Sequence, residues 1–153
     1  CLSVNLGEKG MNIEEINKLD PASFEEIRDA LPESALEFVR IIGLKATLAL
    51  ISCFGGAEIR FVKLKTSWSF ERYCSAIGRT AAVKLADTFG SSVDVYIPRC
   101  ARARELLRNR QIIREFDLMT SRQGISCRDA ANELAIKFGL SNRSVQKIVN
   151  LPV

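Results

Sequence analysis

Toward the C-terminal end of the sequence, Asn142, Arg143, Gln146, Lys147 and Asn150 fall on the outward side of a short stretch of helical pattern, with no acid among them. Amide and cationic side chains suit hydrogen bonding to base edges in a major groove: Asn or Gln to adenine, Arg or Lys to guanine. An ordinary solvated helix face is also polar, but it is rarely this free of acids beside so tight a turn.

The elements that must hold those side chains lie in Arg128–Asn150, which reads as a helix-turn-helix. Such a motif needs a small residue where its helices cross, a glycine in the turn, and apolar residues locking the second helix to the first. Ala135 is the small residue and Gly139 lies four positions on, with Val145 and Ile148 following. Leu134, Phe138 and Leu140 complete the expected core, and Ser141 is placed to cap the second helix.

Upstream, Ala101 to Phe116 reads as a strongly basic helix with Leu106, Leu107, Ile113 and Phe116 apolar. Arg102, Arg104, Arg108, Arg110 and Arg114 are available either as solvated surface or as phosphate contacts, which need point charge more than precise geometry. Arg102, Arg128 and Ser141 are candidate DNA-backbone contacts.

Charge is uneven within a formal net charge of +4. Residues 1–38 sum to −6, residues 39–98 to +4 and residues 99–153 to +6. A basic C-terminal third points to a polyanionic partner or to a solvated face. Five cysteines without C-x-x-C spacing, and no histidine, argue against a zinc site and for reduced thiols in a cytoplasmic protein. No cofactor is expected. The best apolar run, Ile41 to Phe54, is interrupted by Lys45 and falls short of the roughly 20 residues that span a bilayer.

The sequence predicts a mainly α fold with a short two-stranded antiparallel β-ribbon, a helical assembly domain over residues 11–99 and the helix-turn-helix domain over 100–153. Residues 1–10 read as an untranslated leader before Met11, because Gly7-Glu8-Lys9-Gly10 back-translates to a purine-rich run. Ile13, Ile16 and Leu19 mark a first helix closed by Asp20-Pro21. Ser23, with Glu26, forms a capping box for a second helix ending before Pro32. A longer helix through Leu36, Val39, Ile42, Thr47, Leu50 and Ile51, kinked at Gly43, ends at Phe54-Gly55-Gly56. Glu58–Lys63 is then a short strand burying Ile59 and Phe61. Ser69 caps the next helix, with Phe70, Tyr73 and Ile77 on one stripe; these aromatics and Trp68 are either core or a ligand platform. A helix over Arg79–Phe89 follows, with Ala82, Leu85, Ala86 and Phe89 inward.

Gly90–Arg99 closes this half. Val93, Val95 and Ile97 alternate with Asp94 and Tyr96, and Pro98 ends the strand or confines it to an edge. Gly43…Phe54-Gly55 matches Gly78…Phe89-Gly90 at an offset of 35. Glu58–Lys63 matches Asp94–Arg99 at an offset of 36. The match is either a coincidence between two amphipathic helices or a duplicated unit, and a duplicated pair can sit about a local two-fold with its strands antiparallel, the helices covering one face of a ribbon that alone is marginal.

The helix ending Phe89-Gly90, the strand Val95-Tyr96-Ile97-Pro98-Arg99, the basic helix through Phe116 and the terminal helix-turn-helix resemble, over roughly residues 68–150, the Mor transcription activators of Mu-like phages and prophages. The resemblance implies a homodimer with intertwined helices and strands, two heads on a dyad promoter element of double-stranded DNA, and recruitment of RNA polymerase. By position, Tyr96, Pro98 and Arg99 join the ribbon that faces DNA, and Asn142 to Asn150 the recognition helix. Two features depart from the family. It continues past the second helix with a basic tail where this sequence has Leu151-Pro152-Val153, and residues 12–67 add a second copy of the assembly unit. If the two strands pair within one chain, an internal ribbon replaces an intermolecular one and the chain folds as a monomer.

The leading expectation is therefore a sequence-specific DNA-binding activator, with the acidic N-terminal segment either facing polymerase or simply solvated. The alternatives are a repressor or accessory protein with the same head, the DNA-binding part of a recombinase-like enzyme, and a structural assembly protein. Without histidine the commonest catalytic base is missing, and Ser91-Ser92 near Arg99 is better read as a polar turn, so no enzyme is expected.

Overall fold

A computed structural model describes residues 11–61, 68–90 and 93–150. The chain divides into an N-terminal unit ending at Arg104 and a C-terminal unit from Glu105. Among the described residues the fold is mainly α with one two-stranded antiparallel sheet. The proposed leader lies outside the described residues.

In the N-terminal unit, α1 (Ile13–Ile16) is capped by Asn12, whose side chain accepts from the Glu15 N–H. The helix α2 (Pro21–Asp29) starts earlier than its sequence suggests. Asp20 is the cap, accepting from Ala22 N–H, and Pro21 occupies the first turn, where its fixed φ is already helical. Ser23 is therefore inside the helix and buried, not its cap.

The expected long helix is two helices. Gly43 adopts φ 85°, ψ 165°, a region essentially restricted to glycine, and separates α3 (Glu33–Ile42) from α4 (Leu44–Phe54). The break is complete rather than a kink, and Phe38 and Ala35 anchor α3 while Leu36, Val39 and Ile42 are only half-buried. After Gly55 and Gly56 comes β1 (Glu58–Arg60), with Ile59 and then Phe61 buried. Val62 and Lys63 lie outside the described residues.

The helix α5 (Trp68–Ile77) begins before Ser69, which is thus not its cap. Phe70, Tyr73 and Ile77 are core, as their spacing predicts, but Trp68 is 65% exposed. The Arg72 guanidinium lies 4.9 Å from its ring centroid. The next helix, α6 (Arg79–Phe89), follows Gly78 at φ 91°, ψ 152°. It leads to β2 (Asp94–Tyr96).

The strands pair within the chain, Glu58 opposite Tyr96, Ile59 opposite Val95 and Arg60 opposite Asp94. The ladder extends through Gly56 N–H to the Ile97 carbonyl (2.7 Å) and Ile97 N–H to the Ala57 carbonyl (2.9 Å). Arg60 and Asp94 form a bidentate ion pair on the exposed face, at 2.9 and 3.1 Å. On the other face, Ile59 sits over the helices with Phe61, whose ring meets Tyr73 and Phe89 at centroid distances of 5.5 and 5.9 Å. Burying such an aromatic contributes about 1.5–3 kcal/mol.

The two copies differ on one side for a visible reason. Ala49 and Ser52 of α4 are buried, whereas the equivalent Lys84 and Asp87 of α6 are exposed. Helix α1 packs on α4. Ser52 accepts a buried hydrogen bond from the Met11 N–H at 2.7 Å, and the Cys53 thiol donates to the Met11 carbonyl. Covered on that extra side, α4 is apolar nearly all round, while α6 stays amphipathic.

The four described cysteines are free thiols. Burial first, then the Glu15 carboxylate, pushes the Cys53 thiol up to about 11, with Arg104 opposing. Because the thiolate is the nucleophile, alkylation of the native protein at pH 8 should modify exposed Cys127 first and Cys53 last, read by peptide mass mapping. Replacing Gly43 or Gly78 by alanine should each cost about 1–3 kcal/mol in denaturant unfolding. Nothing approaches within 4 Å of a Cβ at either position, so the cost is conformational and should be similar at both.

Candidate nucleic-acid interface

In the C-terminal unit the candidate reading helix is fixed by a small apolar core. The long helix α7 (Ala101–Asp117) enters this unit at Glu105 and continues into a π-helical turn, Leu118–Arg122. Then come α8 (Cys127–Phe138) and α9 (Asn142–Val149). Ile112, Ala131, Leu134, Ala135, Val145 and Ile148 form the buried cluster, with Ile113, Phe116, Met119, Phe138 and Leu140 packed against it. The α7 residue buried in this cluster is Ile112, whereas Ile113, the residue picked out by spacing, packs against it half-buried.

The connection between α8 and α9 is short because both ends are capped. Gly139 is left-handed (φ 66°, ψ 35°), and its N–H donates back toward the last turn of α8. That conformation costs an L-residue roughly 1–2 kcal/mol, which glycine avoids. Ser141 caps α9 as expected, its hydroxyl accepting from Ser144 N–H at 3.0 Å. At the other end of α8, Ser126 accepts from Asp129 N–H at 3.1 Å.

With Val145 fully buried and Ile148 nearly so, α9 turns Arg143, Gln146, Lys147 and Asn150 outward, all exposed. Their spacing of three, four and seven residues makes one continuous stripe. The described ion pairs include neither Arg143 nor Lys147. Asn142 differs from these four. It is half-buried, donates through Nδ2 to Asn132 Oδ1 of α8, and accepts at Oδ1 from Gln146 Nε2 at 2.7 Å. Asn142 is therefore tied to α8 and steadies Gln146.

Of the backbone candidates, Arg128 is exposed in the first turn of α8 and belongs to the same unit as the stripe. Ser141 is exposed, and its hydroxyl accepts the cap bond while keeping its proton to donate. Tyr96, Arg99 and Arg102 belong to the N-terminal unit and are all exposed. Tyr96 shares the exposed ribbon face with Glu58, Arg60 and Asp94, so that face carries two acids and one arginine rather than net positive charge. Arg99 lies across Gly56: its Nε and Cγ would be 2.9 and 3.1 Å from a Cβ there.

The structure adds residues that spacing alone did not single out. Ser126, with Asp129 three positions on, had a capping signal in the sequence. Asn132 and the Glu115–Lys137 ion pair at 2.8 Å, which ties α7 to the end of α8, had none, since the partners are 10 and 22 residues apart.

The model of the Mor transcription activator family matches residues 60–151. The chain belongs to that family. The match takes in α5, α6, β2 and everything described after them, and leaves α1 to α4 outside. No curated protein and no solved structure matches the chain. The family is one of transcription regulators, not of enzymes. Among the described residues no helix is long and apolar enough to cross a membrane.

The Ser126 cap should be worth about 1 kcal/mol. Ser126→Ala should lower the unfolding free energy of the C-terminal unit by that amount, measured by denaturant titration, without altering its folded spectrum.

Proposed function

We propose that this member of the Mor family activates transcription by binding double-stranded promoter DNA, with α8 and α9 acting as a helix-turn-helix and α9 as the recognition helix. The observation that carries the reading is the exposed stripe Arg143, Gln146, Lys147 and Asn150 on a helix whose opposite side is locked into the core. In the proposed complex Arg143 and Lys147 address guanine, and Gln146 and Asn150 address adenine. Asn142 holds Gln146 in place through their side-chain bond.

Arg99, Arg102, Arg128, Ser141 and Tyr96 are proposed as contacts to the DNA backbone, fixing register without reading sequence. The acids near Glu58 and Asp94 make the ribbon a weaker phosphate surface than the arginines of α7. Recruitment of RNA polymerase in the host cytoplasm is part of the same proposal, and membership of an activator family supports it. The exposed acids Glu25, Glu26, Asp29, Glu33 and Glu37 offer it one surface. A dyad element bound by a homodimer takes two chains, one reading helix from each; a single half-site takes one.

Binding-site selection from random duplexes tests the reading. Arg143→Ala should relax preference at one base position at a cost of about 1–3 kcal/mol. A uniform loss over all sequences would instead make Arg143 a phosphate contact. A promoter fusion carrying the selected site should show increased transcription, and decreased transcription would make the protein a repressor.

A further inference from the structure

The repeat within the N-terminal unit is longer and more symmetric than glycine spacing indicates. Helices α3 and α5 both have ten residues, and α4 and α6 both have eleven. Residues 33–55 and 68–90 are identical at Ser34/Ser69, Ile42/Ile77, Gly43/Gly78, Ala46/Ala81, Leu50/Leu85, Phe54/Phe89 and Gly55/Gly90. The backbone repeats as well. Gly43 N–H donates to Val39 and Gly78 N–H to Cys74, each at 2.9 Å, and Gly55 and Gly90 N–H donate to the equivalent Ile51 and Ala86 carbonyls at 2.9 and 3.0 Å, although the two glycines differ in φ (−54° and 73°).

The copies also meet as a two-fold requires. The Phe38–Phe89 ring contact at 5.9 Å has its counterpart in Tyr73–Phe54 at 5.5 Å, the same two positions exchanged between copies. In the sheet, Ile59 pairs with its own equivalent Val95, and the flanking pairs reverse about it. Such reciprocity, position i on j and j on i, defines an isologous interface. The interface that two identical chains would use is here closed between two halves of one chain.

Only the second copy leads into a reading helix. β2 runs on to α7, α8 and α9, whereas β1 is followed within seven residues by α5, too few for a second head. The family match likewise spans one copy and one head.

We infer that the first copy acts as a built-in partner, so that the protein is a single-chain pseudo-dimer with one reading helix, recognising one asymmetric half-site instead of a dyad. The half-site part rests on the DNA-binding function proposed above. Among the described residues each copy already meets the other through its rings and strand, and one reading helix per chain gives one chain per duplex.

Two measurements on the full chain test this. Arg60 and Asp94 are exposed and directly opposite, at a spacing of about 4.5–5.5 Å between Cα atoms that a disulfide can bridge. Oxidised Arg60→Cys/Asp94→Cys protein, mapped by peptide mass, should be cross-linked within a single chain of about 17.0 kDa. A covalent dimer through the same two positions would overturn the pseudo-dimer. Selected DNA sites should lack dyad symmetry and bind one chain per duplex. A palindromic consensus holding two chains would overturn the half-site while leaving DNA binding intact. Failure to bind any duplex would overturn the half-site together with the DNA reading, and the cross-link would still report on the core.

Discussion

Three residues of β1 against three of β2 carry the assembly of the N-terminal unit. So short a ladder is marginal without cover. It persists because Ile59 and Phe61 are buried on its inner face and because Phe61 meets the rings of Tyr73 on α5 and Phe89 on α6. The same pairing brings residues more than thirty positions apart into register, sets α4 against α5 and α3 against α6, and delivers the chain through Pro98 to the start of α7.

Glycine sets the shape around that ladder. Gly43 and Gly78 turn what would be long helices into pairs that fold back on themselves, each through a backbone conformation other residues rarely reach. In the C-terminal unit Gly139 does a related job over a shorter distance, bringing α9 across α8 with its polar stripe outward. The exposed polar stripe is thus a consequence of packing. Val145 and Ile148 must be inside, and helical periodicity then leaves Arg143, Gln146, Lys147 and Asn150 outside.

Much of this was legible in the residues. The bounds of α6, the cap at Ser141, the burial of Ile59, Phe61 and Ile97 and the family resemblance all rest on local signals: period, glycine placement and capping chemistry; Val93, which the alternation puts on the inner side, is 50% exposed. What was not legible depends on non-local contact or on competition between nearby signals. Asp20 outcompetes Ser23 as a cap because Pro21 fixes the first helical φ. Trp68 reads as core by type, yet its position at the start of α5 leaves it exposed against Arg72. The bond from Asn142 to Asn132 could not be read from α9 alone, because Asn132 lies on another helix.

The proposed division of labour, α9 reading bases while the N-terminal unit supplies a closed core, is tested most directly by nuclear magnetic resonance of the full chain titrated with its selected duplex. The account predicts that the largest changes fall on the backbone amides of α9 and on the side chains of Arg143, Gln146 and Asn150, with the core signals of Ile59 and Val95 unmoved. Changes confined to other elements, with α9 unperturbed at saturation, would contradict it.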